Sequence, residues 1–129
     1  SIQSSLGDAV AKCGLSQLGK PFEQNKNGPN SFDGPGLVQY CYQKQGRSVP
    51  RTVDQLCSHG QIILVPSPGD IVCCDHYGVK KTDYVGIYTK DESLIHVPAV
   101  IRDYPFRPGY VKEEPMKYAV FSYYYRRIE

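Results

Sequence analysis

The chain has 129 residues, 40% of them apolar and 22% charged, which suits one globular domain rather than a disordered chain. Its net charge of +2, from 15 basic and 13 acidic residues, is too weak for the concentrated positive surface that nucleic acid requires. The longest apolar run, Gln61–Val65, is far too short to cross a bilayer, and Ser1–Ser5 lacks the charged-then-apolar profile of a signal peptide; a signal removed before Ser1 would leave no trace.

In chain order, Leu6, Ala9, Val10, Cys13 and Leu18 recur at helical spacing and predict a helix over Leu6–Leu18. Gly19-Lys20-Pro21 ends it, glycine as a C-cap and proline as a block. Asn25 to Gly36 is a long loop rich in glycine, asparagine and proline, a length that in a compact domain goes with function or disorder. A second helix starts near Gly34-Pro35, because proline is favoured in a first turn where its missing N–H would be unpaired. Leu37, Val38, Cys41 and Tyr42 form its apolar stripe and Gly46 closes it. Thr52 can cap a short third helix. The texture then changes to strands: Gln61–Val65, Asp70–Cys74, Tyr84–Tyr88, Ser93–Val97, a weaker Val100–Tyr104, and Ala119–Arg126. Pro66–Gly69, Lys90–Glu92 and Pro105–Pro115 are read as the breaks between them. Helices followed by an antiparallel meander predict a segregated α+β domain spanning 1–129.

Five cysteines cannot all pair within one chain, and no C-x-x-C spacing is present. Cys13, Cys41, Cys73 and Cys74 fall where a free thiol serves as a small hydrophobe, which favours a reducing intracellular compartment, with secretion left open by the missing-signal argument. The basic pairs Lys80-Lys81 and Arg126-Arg127 read as solvated loop and tail. Alternation along a terminal strand sends Tyr123, Tyr124 and Tyr125 to both faces of a sheet. His59, His76 and His96 are scattered without ligand spacing, so neither a metal nor a cofactor is expected.

Four segments carry more information than the rest of the chain. They are Gly28-Pro29-Asn30-Ser31-Phe32-Asp33-Gly34-Pro35-Gly36-Leu37-Val38, Val49-Pro50-Arg51-Thr52, Pro68-Gly69-Asp70-Ile71-Val72, and Tyr84-Val85-Gly86-Ile87-Tyr88 followed by Leu94-Ile95-His96-Val97-Pro98. In this order and spacing the sequence resembles the NlpC-type cysteine peptidases, whose segments run approximately F-D-C-S-G-L-V, L-P-R-T, P-G-D-L-V-F-F, H-V-G-I-Y and I-H-A-P. The resemblance covers roughly Ser5 to Pro98 and implies a papain-like fold, N-terminal helices on an antiparallel sheet of five to six strands. It also implies peptidoglycan hydrolase chemistry: a thiolate at a helix N-terminus, a histidine on a facing strand, and a third polar residue that orients the ring.

On that resemblance the nucleophile position is Gly34, the base position Tyr84 and the orienting position His96. Gly34 has no side chain, Pro35 stands in place of the usual serine, and a phenol with an ordinary pKa of about 10 is a poor base at neutral pH. Cys41, seven positions after Gly34, is read as core rather than as a substitute nucleophile, while the strand-end loop leaves His76 as a candidate near the cleft. Phe22-Glu23 departs from the family's aromatic pair, and Asn25–Asn30 lacks its double glycine. Asp33 by resemblance contacts a substrate amine, or it caps the second helix; Arg51 is a carboxylate clamp or a structural ion-pair donor. Catalysis is therefore not expected from the three degenerate positions, and Asp33, Arg51, Tyr84, His96 and His76 are the candidate binding residues. The reading is a pseudoenzyme that binds a peptide or protein, or serves as an assembly component. Its alternatives are an inactivated peptidase, or a degenerate amidase using His76 or His96 with water. Gly34 is expected at a helix N-terminus, with Tyr84 across from it and His96 beside Tyr84.

Overall fold

A computed structural model describes residues 2–76, 82–101, 105–116 and 121–129. Three helices come first: α1 (Ile2–Leu15), α2 (Gly34–Lys44) and the short α3 (Val53–Leu56). Eight strands follow: β1 (Gln61–Ile63), β2 (Ile71–His76), β3 (Thr82–Tyr88), β4 (Ser93–His96), β5 (Val100–Ile101), β6 (Arg107–Pro108), β7 (Lys112–Pro115) and β8 (Phe121–Arg127). Six of them form one antiparallel sheet in the order β1-β8-β2-β3-β4-β7, and β5 pairs with β6. The fold is α+β, with N-terminal helices packed on that sheet.

Strand alternation divides the interior in two. Ile71, Cys73, Val85, Ile87 and Ile95 point to the helix side and pack with Val10, Leu37, Val38, Cys41 and Leu56. Each such aliphatic side chain, sealed from water, contributes about 1.5–3 kcal/mol. Val72, Cys74, Tyr88 and Leu94 point to the other face and form a second cluster with Tyr84, Tyr123 and Tyr125. Tyr124 joins the first cluster, so the three consecutive tyrosines alternate as expected.

Several boundaries differ from the sequence reading for physical reasons. The first helix ends at Leu15 rather than Leu18, because residues 16–19 tighten into turns that reach Gly19 at φ 87°. Leu64 and Val65 leave the sheet after Ile63 and stand 91% and 78% exposed. Asp70 belongs to the turn and not to β2: its backbone N–H donates to Ser67 O, and its carboxylate accepts from Ser67 N. Within Pro105–Pro115, read as a break, lie both β6 and β7. The Lys112-Glu113-Glu114-Pro115 strand has no apolar alternation because it is a sheet edge, where charge and proline discourage further pairing. Of the expected strands Val100–Tyr104 and Ala119–Arg126, Tyr104 and Ala119 fall outside the described residues, as do Lys80 and Lys81.

The sheet order explains a further correction. β8 inserts between β1 and β2, so Arg126 and Arg127 are not a solvated tail. Arg126 donates to the carbonyls of Cys57 and Gly60, and Arg127 forms a two-pronged pair with the Asp70 carboxylate at 2.9 and 2.8 Å. Cys73 is likewise not a free thiol. It is joined to Cys57, with the two Cα atoms 6.0 Å apart, which ties the end of α3 to β2. Closing a chain segment of 16 residues restricts the unfolded ensemble by about 3 kcal/mol in chain-entropy terms. The bond also weighs against the reducing compartment expected from the cysteine pattern.

Candidate functional site

The site is organised from the N-terminus of α2. Asp33 adopts an extended backbone and acts as N-cap, its Oδ1 accepting from Gly36 N at 2.7 Å. Oδ2 accepts from Asn25 N and from Arg51 Nη2, each at 2.9 Å. One buried carboxylate thus fixes the helix start, the preceding loop and the Pro50–Thr52 segment together. Of the two roles open to Asp33, the geometry provides the cap; of those open to Arg51, it provides the ion pair, with the Arg51 side chain still 33% exposed.

Gly34 is the first residue of α2, and Pro35 follows without an N–H. Beside them lies a cleft of about 490 Å³. It is lined by Phe22, Gln24 and Asn25, by Arg51–Val53, and by Asp83–Val85 with Val97 and Ala99. No cysteine, serine or histidine lines it among the described residues. Thr52, whose hydroxyl is at the rim, is occupied as the N-cap of α3.

The expected trio is brought together along one path. Gly34 and Tyr84 line the same cleft, and Tyr84 and His96 are joined by a hydrogen bond of 2.6 Å between the phenol oxygen and Nδ1. A side chain grown at position 34 would meet Val85 first, its carbonyl oxygen 3.5 Å and its Cγ1 3.7 Å from an added Cβ. Tyr84 packs with the second hydrophobic cluster, edge-on to His96 with ring centres 5.4 Å apart. Burial pushes the Tyr84 phenol well above its usual range, and the nearby Cys74 and Glu114 push the same way. Tyr84 is therefore a neutral phenol at physiological pH, where the resemblance implies a histidine base.

Glu114 completes this path and was not legible in the sequence, where it lies in a charged stretch with no motif. Its Oε2 is 3.3 Å from His96 Nε2, in ion-pair range without the alignment of a good hydrogen bond, and Lys112 pairs with its other oxygen. The His96 ring first, and Lys112 with it, hold the carboxyl down at about 2 from an ordinary 4.5, against the opposing effect of burial. A depressed carboxyl contributes stability that is complete above 4.5 and is lost as the pH falls through about 2. The stability curves of wild type and Glu114→Gln, apart at neutral pH, will therefore converge across that window; urea midpoints measured at stepped pH check this.

Three further residues are considered in the sequence. His76 ends β2 opposite Phe121, and its side chain is outside the described residues. His59 is exposed in the turn after α3. Cys41 is fully buried in the core. Among the described residues no group of three or more His, Cys, Asp or Glu side chains is placed to hold a metal ion, and no helix is long and apolar enough to cross a membrane.

Known proteins match this geometry. The NlpC/P60 family model matches residues 19–120. A "probable endopeptidase" of Corynebacterium glutamicum is 30% identical over 95 residues, covering 72% of this chain and 44% of that protein. The "probable endopeptidase p60" of Listeria innocua is 38% identical over 81 residues, 61% of this chain and 17% of that protein. The chain thus spans less than half the length of these curated relatives. Among solved structures, NlpC2 from Trichomonas vaginalis superposes with a TM-score of 0.80 at 26% identity, covering 95% of this chain and 46% of that one. RipD from Mycobacterium tuberculosis, a non-catalytic NlpC/p60 domain protein with an adaptation to peptidoglycan-binding function, superposes with a TM-score of 0.75 at 26% identity. That match covers 96% of this chain and 98% of RipD.

Proposed function

The chain belongs to the NlpC/P60 family, and we propose that it is a pseudoenzyme of that family which binds a cell-wall-type peptide in the cleft beside Gly34 without cleaving it. The observation that carries this reading is the residue at the start of α2, where acyl transfer needs a nucleophile and the chain offers no side chain. Tyr84 supports it: its hydroxyl is committed to His96 and its phenol is held neutral, so it does not serve position 34 as a base. The cleft is nevertheless retained, with walls that Asp33 and Arg51 hold in place. RipD supports the same reading by precedent, since it combines this domain type with peptidoglycan binding and no catalysis. The Cys57–Cys73 disulfide supports an oxidising setting, where such a ligand would be met.

Calorimetric titration with purified muropeptides, followed by chromatography of the recovered ligand, tests the proposal. Saturable binding with intact peptide recovered is expected. Gly34→Leu, which adds a side chain to the cleft lining, will weaken that binding about 10-fold or more, equivalent to at least ~1.4 kcal/mol. Released peptide fragments would sink the pseudoenzyme reading. Affinity untouched by Gly34→Leu in a natively folded variant would move the ligand out of this cleft.

A further inference from the structure

The six-stranded sheet ends in two edges of opposite character. At one edge β7 carries Lys112, Glu113, Glu114 and Pro115, residues that discourage further pairing. At the other, β1 pairs with β8 on one side only among the described residues, so alternate backbone N–H and C=O groups point outward. Leu64 and Val65 continue the chain from β1 to Pro66. Among the described residues, three of the four most exposed large hydrophobic side chains are gathered here: Ile62, Leu64 and Val65. No charge guards this edge, because Ser58–Gly69 contains no Asp, Glu, Lys or Arg.

The edge is also held in place before any partner arrives. Arg126 on β8 donates to the carbonyls of Cys57 and Gly60, which seats the turn leading into β1. Val65 precedes Pro66, and a residue before proline is biased to extended backbone. Leu64 and Val65 can therefore lengthen the strand once a neighbour supplies the hydrogen bonds.

These features select the occupant. A charged peptide would find no counter-charge along the strand, whereas a second copy brings the same uncharged residues. A two-fold axis through Ile63 sets two such strands antiparallel, with Ile62 opposite the partner's Leu64 and Leu64 opposite the partner's Ile62. Alternate residues of a strand share a face, so the four aliphatic side chains form one contiguous patch and no like charges meet. We infer that the chain forms a two-fold dimer by antiparallel pairing of Gln61–Val65 from two copies, which continues the sheet from one into the other. Two strands of this length bury on the order of 1,000 Å² in total, at the low end for a specific interface, so the dimer is weak and concentration-dependent. None of Gln61–Val65 lines the cleft, so both clefts stay open and the inference is independent of the proposed ligand.

The test is sedimentation velocity on the full chain with its Cys57–Cys73 bond intact. Between roughly 1 μM and 1 mM it will show a reversible monomer–dimer equilibrium with Kd on the order of 10–100 μM. Leu64→Lys replaces a side chain that is 91% exposed, so the fold is spared, and association will weaken at least ~10-fold; Ile62→Glu will do the same. An equimolar mixture of the two variants will recover a dimer, because the introduced carboxylate and ammonium then stand opposite each other while the second pair stays aliphatic. Amide hydrogen exchange within Gln61–Val65 will slow as the wild-type concentration rises. A chain monomeric at every concentration, a dimer that survives both variants, or a mixture that associates no better than either variant alone would each overturn the inference. So would a monomer that floats with neutral phosphatidylcholine vesicles and loses them in Leu64→Lys, since a lipid surface would then be the occupant.

Discussion

Gly36→Ala will destabilise the domain by about 3 kcal/mol, whereas Gly34→Ala, two residues away, will stay within ~1 kcal/mol of wild type. A Cβ at position 36 would lie 2.1 Å from the Lys26 carbonyl oxygen and 2.9 Å from Asp33 Oδ1. Neither neighbour can yield cheaply. Lys26 O accepts from Asp33 N, and Asp33 Oδ1 is the cap of α2, so making room breaks the helix start and moves the Asn25 wall of the cleft. At position 34 the nearest atom to an added Cβ is 3.5 Å away, an ordinary contact. Urea unfolding of the two variants checks the contrast. Its functional meaning is direct: glycine at 36 is demanded by packing, and glycine at 34 is not. A side chain could stand at position 34 without strain, so packing alone does not account for the glycine there.

Arg127→Ala will cost about 3 kcal/mol, near the low end for breaking a buried ion pair, because the Arg127 side chain remains partly exposed. Asp70 is almost fully buried, and its remaining described partner is Ser67 N. Losing the guanidinium leaves a charge in a low-dielectric turn that also positions Gly69, whose carbonyl accepts from the Tyr42 hydroxyl of α2. Asp70→Asn in the same background will recover part of the loss, since a neutral amide keeps the Ser67 bond without the stranded charge. A double-mutant cycle by denaturant titration measures that coupling; strict additivity would show that the pair contributes nothing.

The parts of the fold legible in the sequence were those written in local chemistry. Asp33 before Gly34-Pro35 announces a capped helix, and the run Tyr84–Tyr88 announces a strand. The segments shared with NlpC-type peptidases placed Gly34, Tyr84 and His96 near one another before any coordinates. What stayed hidden depends on chain segments distant in sequence. Nothing local in Lys112–Pro115 marks a strand, because an edge takes its identity from the neighbour it pairs with. Cys57 and Cys73 look like two more hydrophobes until α3 and β2 are packed together. Arg126 and Arg127 look like a charged tail until β8 is seated inside the sheet. The same holds for Glu114, whose pairing with His96 exists only once β4 and β7 are side by side.

The seating of β8 has a consequence for how the molecule comes into being. The strand that bridges β1 to the rest of the sheet is synthesised after every other described strand of that sheet, and its partners Ile71–His76 are made long before it. Until Phe121–Arg127 arrives, β1 has no partner in the sheet, and β2 presents an unpaired edge rich in apolar residues. Late closure of a central gap is slow, since its contacts are far apart along the chain, and the open edge is a place where nascent copies can associate wrongly. Assembly of this domain is thus gated at its end: a nascent chain stopped short of Phe121 holds the helices and the lining of the cleft but not a closed sheet.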